Sequence, residues 1–349
     1  MRPIGLFVQA FVIGLLSLVA ALYLGFSIAV RFAASPARVA AESIVLTVPA
    51  GATTVDIGRR LQEAGLIRSD LLFRLLVERR GLDGRLPTGQ YLLRKDMSLD
   101  RILAALQSER LVDRAVTFPE GWRVEEMAER LRDETAVDPD EFVRLTQTEV
   151  AAFAREFPFL RGLPPDATLN GYLFPDTYQV AAGTSARDLI RRMLTRFDEV
   201  VTPDVRTAAA ARGLTLHQAI TLASIIEREA ALDKERPLIA GVFYNRLARG
   251  MKLETDPTVQ FALGRSAASG RWWKPDLTAQ DLQVASPYNT YVNAGLPPGP
   301  IAGPGLKSIE AAVAPEATPY LFFVARGDGS HAFAETAEEH ARNITRFLR

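Results

Sequence analysis

HQAITLASIIEREA, residues 217–230, is the stretch from which the rest of the chain can be read. Its apolar residues fall on more than one side of a helix, the pattern of a helix buried in a core rather than lying on one. Yet it closes with two carboxylates, Glu227 and Glu229. On a helix, residues three and four apart share a face. Around Glu227 these are Ala223, Ser224, Ala230 and Ala231, all small; around Glu229 they are Ile225, Ile226, Leu232 and Asp233, mostly large. The small ring suggests a vacancy in front of Glu227, where partial burial would favour the protonated form and make a general acid. The same spacing also allows a plain ion pair between Glu227 and Arg228, Arg236 or Arg246, because buried acids are usually paired. Both readings of Glu227 stand at this level.

Outward from the helix, two further segments carry polar and aromatic groups. SPYNTYVNAGLPPGPIAGPG (286–305) sets Tyr288, Asn289, Tyr291 and Asn293 before a Gly- and Pro-rich loop. Aromatic faces stack on sugar rings, amides donate and accept, and Pro with Gly gives a rigid loop of close approach. A structural loop with its tyrosines packed inward is the competing reading. ETDPT (254–258) adds Thr255 and Asp256, able to orient a second carboxylate or to cap a helix. GYLFPDTY (171–178) and His331 read as structural, and RWW (271–273) carries no functional expectation.

The chain has 349 residues, enough for two or more domains. From Ile4 to Val30 no residue is charged, with Arg2 and Arg31 bracketing the run. At about 1.5 Å per residue it spans a bilayer core, which predicts a single N-terminal transmembrane helix rather than the shorter core of a cleaved signal. The N-terminus is expected in the cytoplasm and the remainder exported. The predicted domains are a cytoplasmic tip and anchor (1–32), a small-residue linker (33–43), a small membrane-proximal α+β domain (44–110) and a larger mixed α+β domain (111–349). In the small domain, IVLTVPAG predicts a strand and turn, Thr53 with Asp56 opens a helix near 54–64, DLLFRLLVER and SLDRILAALQ predict two more helices, and TGQYLLR a strand. TVPAGATTVDIGRRL (47–61) and TFPEGWRVEEMAERL (117–131) align without gaps, one strand–turn–helix unit used twice or a coincidence of turn chemistry. Near the C-terminus, GDGS predicts a hairpin and AEEHARNITRFL a closing helix. No βαβ rhythm appears, so the class is α+β.

Forty-one basic residues balance forty-one acidic ones without a basic run, which gives no footprint for nucleic acid. Without cysteine, thiol catalysis, disulfides and thiolate metal sites are excluded. His217, His331 and His340 lie far apart with no HExxH spacing, so neither a metal site nor a cofactor is expected.

Taken in order and spacing, LASIIERE, VFYNRL, LETDPTVQFALG, SPYNTYVNAGLPPGPIAGPG, GYLFPDTY and the TPYLFFVA tail make residues 115–349 resemble the MltG (YceG-like) family of endolytic murein transglycosylases. The anchor and a small domain similar to the family's LysM-like subdomain fit the same plan. The resemblance implies cleavage of peptidoglycan glycan strands between N-acetylmuramic acid and N-acetylglucosamine, at the cytoplasmic (inner) membrane, beside peptidoglycan synthases, without a cofactor. It puts the catalytic glutamate at Glu227 and substrate-binding residues at Ser224, Asp256, Tyr288, Asn289 and Tyr291. Asn170, Glu254 and Gly303 depart from the family's usual residues. The implied reaction needs a single acid: it protonates the glycosidic oxygen, then takes the proton of the muramyl 6-hydroxyl as that oxygen closes a 1,6-anhydro ring, with Glu229, Glu254 or Asp256 assisting electrostatically. A hydrolytic muramidase, and an anchored glycan-binding scaffold without activity, are the alternatives.

Overall fold

The computed structural model describes residues 35–36 and 42–347, apart from Ala50, Glu109, Val112, Asp113, Ala182 and Ala268. The apolar run 4–30 lies outside the described residues, and among those described no helix is long and apolar enough to cross a membrane. The chain divides into two compact units, one reaching Arg114 and including Ala181–Gly183, the other formed by Ala115–Val180 and Thr184–Arg349.

In the first unit the order is β1 (Ser43–Val48), α1 (Thr54–Glu63), α2 (Asp70–Arg79), β2 (Gly89–Arg94), α3 (Leu99–Ser108) and β3 (Arg110–Leu111). The strands form one antiparallel sheet in the order β1-β2-β3, with Leu46 opposite Tyr91 and Val48 opposite Gly89. Thr53 caps α1 through a capping box with Asp56, and Ser98 Oγ accepts from Arg101 N at the start of α3, as the sequence predicts. Leu46, Val48, Ile57, Leu61, Phe73, Tyr91, Leu93 and Ile102 make its core.

The second unit is mostly helical. Its elements are β4 (Arg114–Thr117), α4 (Val124–Glu134), α5 (Pro139–Thr148), α6 (Val150–Glu156), β5 (Thr177–Val180), α7 (Ala186–Val200), α8 (Pro203–Ala211), α9 (Leu216–Glu229), α10 (Arg236–Ala248), α11 (Asp256–Leu263), α12 (Leu306–Val313), β6 (Phe322–Ala325), β7 (His331–Ala334) and α13 (Ala337–Phe347). Strands β4 and β5 pair, and β6 with β7 forms the hairpin predicted around GDGS. The architecture is α+β.

The strand–turn–helix repeat is real in its local geometry. Gly51 and Gly121 occupy equivalent turn positions with φ of 79° and 77°, a region that glycine enters without steric cost. In both copies the acidic residue at the third helical position accepts the N-cap amide: Thr53 N to Asp56 at 3.2 Å and Arg123 N to Glu126 at 3.1 Å. The second copy places its turn against the Gly- and Pro-rich loop, with Gly121 N donating to Gly303 O and Gly303 N to Trp122 O.

Helix α9 runs through the core. Every residue from Ala219 to Ile226 is buried, which explains its apolar surface on several sides. Thr215 and Gln218 cap its start reciprocally. Its C-cap, Ala230, has extended backbone (φ −82°, ψ 116°), so the helix stops at Glu229.

Candidate functional site

That stop changes the reading of both glutamates. Residues 230–233 no longer follow helical spacing, so the expected ring around Glu227 loses Ala230 and Ala231 as neighbours. The small residues one turn earlier, Ala223 and Ser224, are fully buried. They lie where α12 packs on α9. Glu227 Oε2 accepts from Gly305 N at 3.0 Å and from Ser308 Oγ at 2.8 Å, and Oε1 accepts from Arg236 Nη2 at 3.2 Å. The side chains of Arg236 and Glu227 are only 8% and 6% exposed. Arg236 also donates to Ser308 Oγ at 2.6 Å and to Asp233 at 3.1 Å. Glu227 is therefore tied into a buried ion pair at the N-terminal end of α12, where a helix dipole favours negative charge. Of the two readings open in the sequence, the geometry is that of the ion pair. Nearby, burial and the Glu227 charge push the Glu120 carboxyl above its ordinary range.

Glu229 is the opposite case. It is half-buried, and among the described residues its carboxyl has no hydrogen-bond partner. Burial, followed by the charge of Asp256, pushes its pKa up to about 8, against the weaker opposing pull of Arg228 and Arg246. As the last residue of α9 it also lies at the negative end of the helix dipole, which disfavours a second negative charge. A carboxyl of this kind keeps its proton at neutral pH and can donate it.

Asp256 opens α11, which packs on α9. It is exposed, and its Oδ1 accepts from Tyr291 Oη at 2.7 Å. Burial and the neighbouring carboxylates, Asp256 first, raise the Tyr291 pKa, so the hydroxyl remains a donor. The segment leading to Asp256 is held firmly. Arg246 donates to the carbonyls of Leu321, Lys252 and Leu253 and to the Glu254 carboxylate at 2.6–3.1 Å. Thr258 Oγ1 and Thr290 Oγ1 meet at 2.8 Å, while Thr255 N donates to Thr290 Oγ1 at 3.0 Å. Glu254 has φ of +52°, a strained value for a residue with a Cβ, tolerated because these bonds surround it.

Other predicted site residues turn out to support the loops. Ser224 is fully buried; its Oγ accepts from Ile301 N at 3.0 Å and donates to Thr221 O. Asn289, also fully buried, donates to Leu282 O and Val284 O and accepts from Tyr291 N. These groups have no free valence facing outward; they pin the Gly-Pro loop and aim Tyr291. Tyr288 is half-buried, its ring 4.7 Å from that of Phe261. RWW makes contacts far along the chain. The Arg228 guanidinium lies 3.9 Å from the centre of the Trp273 ring, and Trp273 Nε1 donates to Glu126 at 2.8 Å. Arg228, between the two glutamates in sequence, thus has its guanidinium on an aromatic face. Arg236 is one of the partners that the sequence offers for Glu227, whereas no local pattern announces Trp273 or Ser308. For Glu229 the signal was available: a final-turn acid obeys the face rule only backwards along the helix.

Among the described residues no cluster of His, Cys, Asp or Glu is placed to hold a metal ion. The fold and site define a mostly helical α+β protein that offers a recessed, proton-bearing carboxyl beside a tyrosine–aspartate pair.

Residues 46–346 match the model of the YceG-like family, and the chain belongs to that family. It is 33% identical over 317 residues to an endolytic murein transglycosylase of Bacillus subtilis (strain 168), covering 88% of this chain and 85% of the relative. A protein of the same name from Streptococcus pneumoniae serotype 2 (strain D39 / NCTC 7466) is 32% identical over 321 residues, 86% of this chain and 58% of the relative. The crystal structure of a yceG-like protein from Listeria monocytogenes superposes with a TM-score of 0.61 at 33% identity, covering 87% of this chain and 99% of that one.

Proposed function

We propose that the protein is an endolytic murein transglycosylase, cutting the bond between N-acetylmuramic acid and N-acetylglucosamine within peptidoglycan strands and leaving 1,6-anhydro ends. Family membership and the relatives' names support the activity. The observation that carries the mechanism is the contrast between the two glutamates: Glu227 is locked by three donors, while Glu229 is recessed and has its pKa pushed up to about 8. We therefore assign the acid to Glu229, in place of Glu227, where the family resemblance puts it. It gives its proton to the glycosidic oxygen as the bond to C1 breaks. The resulting carboxylate then takes the proton of the muramyl 6-hydroxyl as that oxygen bonds to C1. Glu229 ends as it began, and no water is consumed. The nucleophile is tethered to the reacting sugar, so proximity comes from the substrate and the protein has to hold the ring in its closing shape.

Asp256, oriented by Tyr291, adds to burial in keeping Glu229 protonated and faces the positive charge developing at C1. Tyr288 contributes an aromatic wall to the glycan cleft, and Ser224 and Asn289 act through the loops they hold. Glu227 is a positioning residue that joins α9, α10 and α12 behind the acid. The run 4–30 anchors the chain in the cytoplasmic membrane with its N-terminus inside, the first unit is a LysM-like glycan-gripping module, and both units work on nascent strands beside the peptidoglycan synthases.

Mass spectrometry of glycan digested by the purified protein tests the reading. Anhydro-muramyl ends are expected. Reducing ends would mean hydrolysis with Asp256 as a second working carboxylate, and strands left intact would mean a binding scaffold.

A further inference from the structure

The second unit contains a cavity of about 320 Å³ that includes neither Glu227 nor Glu229. Its walls come from α4, α5, the start of α9, the end of α11 and the Gly-Pro loop at Pro298–Pro300. It lies along α11 from Asp256. Asp256 begins that helix and Phe261, which lines the cavity, is five residues on, about 7.5 Å along the axis. The loop that closes the cavity is the one bonded to Ser224 at Ile301 and to Glu227 at Gly305. The cavity and the acid therefore share one rigid frame.

Most polar groups around it are already committed. His217 Nε2 donates to Pro298 O at 2.7 Å and its Nδ1 accepts from Tyr172 Oη at 2.9 Å. Asn170 donates to Pro300 O and accepts from Val124 N. Glu125 is paired with Arg123. Two groups remain. Asp166 is exposed and has neither a hydrogen bond nor an ion pair among the described residues, and the Tyr288 hydroxyl is likewise unbonded. They are close enough for the Asp166 charge to act on the Tyr288 hydroxyl. Arg123 also acts on that hydroxyl, more weakly than Asp166, but it is paired with Glu125 and lies behind the Phe261 ring; no lysine or arginine lines the cavity itself, so the uncompensated charge it offers a ligand is that of Asp166.

We infer that this cavity receives the free amino group of a peptide branch on the glycan strand, with Asp166 pairing the ammonium and the Tyr288 hydroxyl accepting a hydrogen bond from it. This rests on the peptidoglycan reading above. The sugar rings are neutral and need no charged partner. Of the ionised groups on a peptide branch, the carboxylates are repelled by Asp166 and the amine alone is complementary. The acid would then act best on strands whose branches still carry that amine.

The test compares the full-length protein on two substrates, peptide-bearing strands with free amines and the same strands acetylated with acetic anhydride. For the unaltered protein kcat/KM should fall about three- to tenfold on acetylation, as for a partly shielded charge-assisted contact, and the difference should shrink in high salt. In Asp166→Asn the ratio between the substrates should collapse towards one, and in Tyr288→Phe, which keeps the ring against Phe261, it should fall partway. Equal cleavage of both substrates by the unaltered protein, or a ratio that survives in Asp166→Asn, overturns the inference. Failure of the underlying transglycosylase reading shows differently, as no anhydro ends from either substrate.

Discussion

Replacing Glu229 with Gln exchanges a titratable hydroxyl for an amide that cannot give up a proton, at almost unchanged volume, so it isolates the acid's chemistry. Loss of a general acid costs about 10²- to 10⁴-fold in rate, and kcat/KM should fall by that much with anhydro products reduced in step. The same change should affect stability in an unusual direction. The Glu229 pKa rises from 4.5 to about 8 on folding, so the folded chain holds a proton that the unfolded chain releases. Between these values rising pH favours unfolding, and above about 8 the whole penalty of an enclosed charge is present. Gln escapes that penalty, so Glu229→Gln should be more stable than the unaltered protein at pH 8–9, by an amount on the order of a few kcal/mol, with the gap closing towards pH 5. Glu227→Gln should do the reverse. An amide cannot accept on both sides, so either Arg236 or the Gly305–Ser308 pair faces another donor. Breaking a buried pair costs about 3–5 kcal/mol, and activity is lost with the fold. Urea unfolding of both variants across pH 5–9, alongside product analysis, reads out both effects. A Glu229→Gln protein that still cleaves at full rate would refute the reasoning, and so would a fully stable Glu227→Gln that is inactive.

Three further outcomes are expected. The pH profile of kcat/KM should decline as pH rises through about 8, where Glu229 gives up its proton, and Asp256→Asn should move that limb to lower pH by removing a charge that holds the proton on; an unmoved limb in a pH titration of kcat/KM would detach Asp256 from the acid. Ser224→Ala leaves Ile301 N without its acceptor, costing about 1–3 kcal/mol, visible in urea unfolding. Gly241→Ala ought to help α10 by about 1 kcal/mol on helix propensity, yet its Cβ would stand 2.2 Å from Glu316 O; a marked fall in Tm is expected, because the backbone there cannot retreat.

The periodicity and capping residues of this chain determine most of its local structure. Thr53 and Asp56, Ser98, the GDGS turn and the buried stretch 219–226 lead to the elements found, because caps, turns and helical burial depend on neighbours a few residues away. The β–turn–α echo is legible for the same reason. The motif order also suffices for the family. Choosing between Glu227 and Glu229 needs the fold. The extended backbone of Ala230 ends the helical face on which the sequence argument relied. Arg236, Gly305 and Ser308, which occupy Glu227, are 9 to 81 residues away, as is Asp256, whose charge keeps the proton on Glu229. Proton affinity depends on burial and on charges brought close in space, and only the packing of α9 against α11 and α12 decides those.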